Sequence, residues 1–225
     1  MEIELKSEGT CIYCKRVFSQ KDIGKHLAEH LNKMQQENTS PNPEAFCHIE
    51  VESNEMFLHL LVKGSAKMKE IDTYLKDIWL ECCGHLSAFK HKNFKVTMSQ
   101  LVADVFTPKI KIQHDYDFGS TTTVILKAHK HYQLAIKNNI ILLSRNEPLN
   151  LICGICKQKP ATVLCTVCQW NEYSFYCKSC AKTHASTCED FDDYAEMPVV
   201  NSPRMGECGY TGGTIDLERD GAYKM

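Results

Sequence analysis

Residues 153–188 carry seven cysteines and one histidine in the order C-x2-C-x8-C-x2-C-x8-C-x2-C-x3-H-x3-C, ending at Cys188. No other stretch restricts the fold as tightly. Eight ligands in four pairs are what two tetrahedral zinc ions require. The interleaved spacing suggests a cross-brace, with Cys153, Cys156, Cys177 and Cys180 on one ion and Cys165, Cys168, His184 and Cys188 on the other. Sequential pairing is the alternative, and the spacing is compatible with both. A redox dithiol series fits poorly, because thioredoxin-like C-x2-C motifs come singly.

A second pattern, Cys11-x2-Cys14-x11-His26-x3-His30, lies near the amino terminus. Two thiolates on a knuckle and two imidazoles one helical turn apart can converge on one zinc. The segment resembles the classical two-Cys/two-His zinc finger, with Phe18 and Ile23 at that family's core positions. It has eleven rather than twelve residues between Cys14 and His26, and no aromatic before the first cysteine. Gly24 weakens the helix by about 1 kcal/mol relative to alanine. So short a segment cannot bury a sufficient core, so metal binding worth about 10–16 kcal/mol is expected to supply its folding energy.

The positions matching the family's base-contacting sites are Ser19, Lys21, Asp22 and Lys25. Residues 1–34 hold six Lys/Arg against five Asp/Glu, so phosphate attraction is slight. One finger spans only about 3 base pairs. A protein-binding or structural finger is therefore expected ahead of a DNA-reading one.

In the second cluster, KPATVLCTVC (159–168) and FYCKSCAKTH (175–184) resemble a B-box-type zinc finger, and Tyr176-Cys177 with His184-x3-Cys188 is similar to the MYND type. The resemblance implies two-zinc geometry and no particular partner. A two-thiolate, two-imidazole zinc site is neutral, a four-thiolate site is −2 and a three-thiolate site is −1. Loading all three sites therefore takes the formal charge from −2 to −5. Lys157, Lys159, Lys178 and Lys182 against Glu172 offset the second cluster's share, and read as compensation for thiolate charge rather than as a nucleic-acid patch.

The remaining composition narrows the class. Thirteen cysteines is an odd number, and the opening MEIELKSEG lacks the basic flank and apolar stretch of a secretory signal. A disulfide framework is not expected, and a reducing cytoplasm is. The longest aliphatic run, Ile140-Ile141-Leu142-Leu143, is far short of the roughly 20 residues of a membrane helix. A net charge of −2 excludes a globally basic nucleic-acid coat.

These readings divide the chain into a two-Cys/two-His finger (1–34), a polar linker (35–45), a central domain (46–150), a two-zinc insertion (151–188), a returning part of the central domain (189–213) and a frayed tail (214–225). The fold class expected is α+β: a small β-rich sheet with one or two packed helices, plus two zinc-stabilised modules. Strands are expected at 56–62, 86–91, 94–98 and 139–145 and a short helix at 99–106. Met68, Ile71, Leu75, Ile78 and Cys82 form one helical stripe, with Ser65 as its cap and Gly84 past its end. In the hairpin 109–132, Ile110, Ile112, Tyr116 and Phe118 share a face, as do Val124, Leu126 and Ala128. A plain Gly119-Ser120 turn would put these sets on opposite faces, so an irregular turn is expected.

The Trp79-containing stretch ending in Gly84-His85, the Tyr116-Asp117-Phe118-Gly119 hairpin and PVVNSPRMGECGYTGG (198–213) together resemble the plasmid pRiA4b Orf-three-like family, over about residues 46–150 and 189–213. That family includes relatives of a mobile-element passenger protein sometimes labelled resolvase-like. The resemblance implies a compact α+β domain. No G-x-S-x-G, Walker or serine-recombinase arrangement accompanies it, so no catalytic residue is assigned. Asp115 and Asp117 share a strand face beside His114, which leaves a metal-dependent hydrolase or nuclease as the third reading. Cys47, Cys82 and Cys83 are expected as buried core thiols, with a Cys82/Cys83/His85 ligand set as the alternative. The leading expectation is a non-catalytic zinc protein holding about three ions and binding another protein. Nucleic-acid binding linked to mobile elements is second.

Overall fold

The computed structural model describes residues 7–169, 174–217 and 219. Glu172 and most of the 214–225 tail therefore lie outside the described residues. The chain divides into two compact units. One comprises the residues up to Leu75 together with Leu86–Glu147; the other comprises Lys76–His85 and the residues from Pro148 on.

In the first unit, β1 (Glu8–Thr10) and β2 (Val17–Ser19) pair antiparallel and lead into helix α1 (Gln20–Gln36). The sheet behind them is built from β3 (Glu44–Ser53) and β4 (Met56–Lys63), then, after helix α2 (Met68–Leu75), from β5 (Ser87–His91) and β6 (Phe94–Val96). The short helix α3 (Val102–Val105) precedes β7 (Lys111–Tyr116), β8 (Thr122–Leu134) and β9 (Ile140–Arg145). The seven strands run in the order β6-β5-β7-β8-β3-β4-β9, every pair antiparallel. The α+β class follows directly. At α2, Glu70 Oε1 accepts the N–H of Lys67 at 3.0 Å, the place in the first turn that the sequence assigned to Ser65.

The hairpin turn is irregular, as the side-chain pattern demanded. Five residues, 117–121, separate Tyr116 from its partner Thr122, and Asp117 adopts a positive φ of 62°. Ile112 faces Leu126 and His114 faces Val124, so both apolar sets reach one side of the sheet. Phe118 is the correction: it stands at the turn and is 60% exposed, while buried His114 takes a place on that face, bonded to Asp72 at 2.7 Å.

Strand β8 serves both faces through a bulge. Its register against β3 shifts between His48 and Ile49, leaving His129 as the extra residue. Residues 124, 126 and 128 point to one side before it, and Tyr132 and Leu134 point to the other after it. That second side meets α1. Ile23, Leu27 and Leu31 of the helix join Phe46, Phe57, Leu61, Tyr132, Leu134 and Leu143 of the sheet in one core cluster. The finger segment thus shares a large core, and the expectation that metal alone would fold it is revised: sheet packing contributes as well.

Gly24 explains itself here. A Cβ at that position would meet His59 at 3.2 Å and His129 at 3.3 Å, so the residue that weakens the isolated helix permits its close approach to the sheet. Beneath it, His48 Nε2 and His59 Nδ1 lie 3.0 Å apart, and His129 stacks on His48 at 4.7 Å. Burial first, and then the His129 charge, push the His48 imidazole down to about 3. His59 is held low for the same reasons, with His48 as a further cause. A folded value below the unfolded one means that the unfolded chain binds the proton first. The stabilisation is complete above about pH 6.5 and falls as the pH drops toward about 3. The His48 ring signals in an NMR titration are expected to stay constant between about pH 7 and pH 5. Titration near the ordinary histidine value would contradict this burial.

In the second unit, a π-helical turn (Lys76–Leu80) carries buried Ile78 and Trp79. Further on, β10 (Val163–Cys165), β11 (Phe175–Tyr176), helix α4 (Lys178–Ala185) and β12 (Glu196–Pro198) follow. The three strands form a sheet in the order β11-β10-β12. The closing residues pack onto the Trp79 turn. Ser202 Oγ donates to the Trp79 carbonyl at 2.6 Å, and the Thr214 N–H donates to the Asp77 carbonyl at 2.7 Å. A Cβ on Gly213 would meet the Ile78 carbonyl oxygen at 2.4 Å, a backbone approach that only glycine allows.

Candidate metal centres

Among the described residues, four groups of cysteine and histidine side chains have their ligand atoms within 4.8 Å of one another. No disulfide joins any of the thirteen cysteines, all of which are among the described residues.

The first group is Cys11, Cys14, His26 and His30. The knuckle between β1 and β2 closes where the Lys15 N–H donates to the Cys11 carbonyl at 2.9 Å, with Lys15 at a positive φ of 60°. Helix α1 then presents His26 and His30 one turn apart. Cys14 Sγ and His30 Nε2 each lie 3.2 Å from His26 Nε2. Phe18 stacks on the His26 ring at 4.0 Å, which orients that imidazole. The edge of the sheet fixes the knuckle: the Ile12 N–H donates to the Leu143 carbonyl at 2.9 Å.

The second cluster resolves into interleaved groups. Cys153 and Cys156 meet Cys177 and Cys180, while Cys165 and Cys168 meet His184 and Cys188. This is the cross-brace of the two pairings the spacing left open. The Cys153–Cys156 knuckle repeats the first one, with Lys157 at φ 53° donating its N–H to the Cys153 carbonyl at 3.0 Å. Cys177 stands at the N-terminus of α4, and Cys180 and His184 are separated by one turn of that helix.

Distances across these groups suit a tetrahedral ion. Zinc–sulfur bonds of about 2.3 Å place two sulfurs about 3.8 Å apart, whereas a disulfide holds them at about 2.05 Å. Cys156 and Cys177 are separated by 3.9 Å, as are Cys165 and Cys188. His184 adds an independent sign. Its Nε2 is buried and meets no hydrogen-bond partner among the described residues, while the ring stacks on Tyr176 at 4.3 Å. Burial also lowers its proton affinity, leaving the neutral imidazole that metals bind.

Electrostatics within the groups point the same way. The Ser179 hydroxyl and then the Cys180 N–H push the Cys177 thiol down to about 6, favouring the thiolate. The N–H groups of Lys159 and Gln158 lower Cys156. Burial and the neighbouring Cys177 and Cys153 push Cys180 up to about 12, and burial with Cys165 takes Cys168 to about 11. Several thiols this close cannot all ionise without a cation between them.

The fourth group is Cys82, Cys83, His85 and Cys208. It corrects the expectation of buried core thiols, since Cys82 is half-buried and Cys83 exposed. The helical stripe stops short because helical structure ends at Leu80, and Gly84 at φ 85° turns the chain. Cys47 is a core thiol as expected, pushed up to about 12 by burial.

Asp115 and Asp117 are drawn into structural bonds. Lys90 Nζ pairs with Asp115 Oδ2 at 2.8 Å, and Thr123 and Gln113 donate to its Oδ1. Burial acts against the charge, but these donors prevail and hold the carboxyl below the usual range. Asp117 Oδ1 accepts the Gly119 N–H at 3.0 Å, closing the hairpin turn.

Among the described residues no helix is long and apolar enough to cross a membrane. No protein-family model matches the chain, and no curated protein matches it significantly. Among solved structures it is similar to the crystal structure of a protein of unknown function, MM3350, from Methanosarcina mazei Go1, with 14% identity and a TM-score of 0.39 over 45% of this chain and 67% of that one. What the geometry establishes is an α+β chain in which four Cys/His groups can hold metal ions.

Proposed function

We propose that the chain is a zinc-binding, non-catalytic protein of the reducing cytoplasm whose metal-shaped surfaces engage another protein. Three ions sit on the twelve ligands read from the sequence. The observation that carries this is the convergence of each set within 4.8 Å at separations matching the edge of a tetrahedron.

Two features support a non-catalytic role. Each group offers four protein ligands, which fills the coordination sphere that a catalytic zinc keeps open to water. Asp115 is committed to Lys90, and Asp117 to its turn. The hollow beside the finger helix is lined by Lys21, Lys25, Lys127 and Lys130 against Glu50 and Glu52, with Lys127 paired to Glu52 and His129 to Glu50, so part of its positive charge is already met within the protein. Beside the second cluster, a hollow of about 660 Å³ lined by Val163, Ala181, Phe191 and Val199 among others offers apolar contact area, with Lys178 and Glu196 also on its wall. Kinship with the plasmid pRiA4b Orf-three-like family belongs to this reading too. It is supported by the packing of the closing motif on the Trp79 turn, two stretches the resemblance had joined.

Metal analysis of the purified full chain tests the proposal. Cys14→Ser, Cys156→Ser and Cys168→Ser are each expected to lower the zinc content by one ion relative to the unaltered protein. A chain that purifies with one ion or none would overturn the assignment. Affinity for DNA that falls steeply with salt would replace the protein-binding reading with the nucleic-acid one.

A further inference from the structure

We propose that Cys82, Cys83, His85 and Cys208 bind a fourth zinc ion, one that exchanges faster than the other three. The site stands on its own ligands and does not depend on how the twelve others are assigned.

Geometry carries the proposal. Cys83 Sγ lies 3.8 Å from Cys82 Sγ and 3.7 Å from Cys208 Sγ, again the edge of a zinc–sulfur tetrahedron and well beyond a disulfide bond. His85 Nε2 completes the set at 3.0 Å from Cys83 Sγ and 3.2 Å from Cys208 Sγ. Three sulfurs and one imidazole are a donor set that selects zinc over harder cations.

The backbone is shaped to deliver these atoms. Gly84 turns at φ 85°, between two of the ligands. Cys208 itself sits at φ 47°, unusual for a residue with a Cβ, and is flanked by Gly206 at 82° and Gly209 at 68°. A cysteine in the left-handed region is strained, and a metal bond offsets that strain. The ion would also clip residues 82–85 to the closing motif, beside the Ser202–Trp79 and Thr214–Asp77 bonds that join the same two stretches.

Exposure sets the exchange order. Each of the other groups contains a fully buried cysteine: Cys11, Cys153 or Cys165. The fourth has none, and Cys83 and Cys208 are both exposed. Chelators and thiol reagents therefore reach this ion first.

The test uses zinc-loaded full-length protein. Cys208→Ser and His85→Ala should each bind one ion fewer than the unaltered chain, and in a chelator chase should lack its fastest-released ion. Mass mapping of the thiols alkylated as that first ion leaves should mark Cys82, Cys83 and Cys208. This readout uses the unaltered protein and so holds even if both variants misfold. Unchanged zinc content in folded variants, first labelling at any other cysteines, or a protein two hydrogens lighter through a Cys83–Cys208 disulfide would overturn the site. Loss of zinc confined to these variants, with the other three ions absent throughout, would instead sink the twelve-ligand reading and leave this one standing.

Discussion

Stripping zinc from the purified protein should unfold residues 153–198 while the seven-stranded sheet stays folded. The reason lies in what each region buries. Around the second cluster the strands are two or three residues long, and the main apolar cluster is Cys165, Tyr176, Ala181, Phe191 and Ala195, with Cys168, Cys180 and Cys188 packed against it. The metal ligands are themselves a large part of that core. A structural zinc contributes about 10–16 kcal/mol, as much as the entire stability of an ordinary domain. Removing two such ions leaves a small apolar cluster and thiols forced together. The sheet draws instead on strands as long as 13 residues and a core including Phe46, Phe57, Leu61 and Tyr132. Hydrogen exchange after chelation should therefore show lost protection at Leu164, Cys165 and Tyr176 and retained protection at Ile49, Leu60 and Leu126. Persistent protection in the first set would mean that metal does not hold this region.

Leu27→Ala should weaken the whole first unit, not only the finger. Leu27 is fully buried and sits in one cluster with Phe57, Leu61, Tyr132 and Leu134 of the sheet. Truncating such a leucine costs about 2–5 kcal/mol, because the side chains around it close only part of the cavity. With a urea slope of about 2 kcal/mol/M, the midpoint of the sheet's unfolding transition should fall by about 1–2.5 M. An autonomous finger would behave differently: the sheet transition would stay in place. The same packing predicts that α1 keeps partial protection after chelation, since Ile23, Leu27 and Leu31 stay docked when the zinc of the first group has gone.

Much of the metal chemistry was legible in the residue order because its geometry is local. A C-x2-C knuckle brings two sulfurs together within five residues, and an H-x3-H pair meets its metal across one helical turn. Two of the four C-x2-C pairs, Cys11/Cys14 and Cys153/Cys156, close on a lysine in the left-handed region, Lys15 and Lys157, within that span. The strand at 56–62 and the irregular turn after Tyr116 were legible for a similar reason: side-chain alternation records which face is buried. The bulge at His129 left no mark in the pattern, because Lys130 and His131 blur the alternation where the strand changes face. Nor did β3 stand out, since polar His48 is fully buried between apolar neighbours and breaks the alternation.

From its residues alone, this chain was bound to an α+β fold carrying Cys/His clusters that can hold metal ions, because spacing over a few residues dictates how thiols and imidazoles converge. Only the folded molecule decided three other things: the cross-braced pairing, the docking of α1 on the sheet through Gly24, and the meeting of Cys208 with Cys82, Cys83 and His85. Cys208 and Cys83 are 125 positions apart, and no local rule links them. Their approach depends on how the closing motif packs against the Trp79 turn, which is a property of the assembled core.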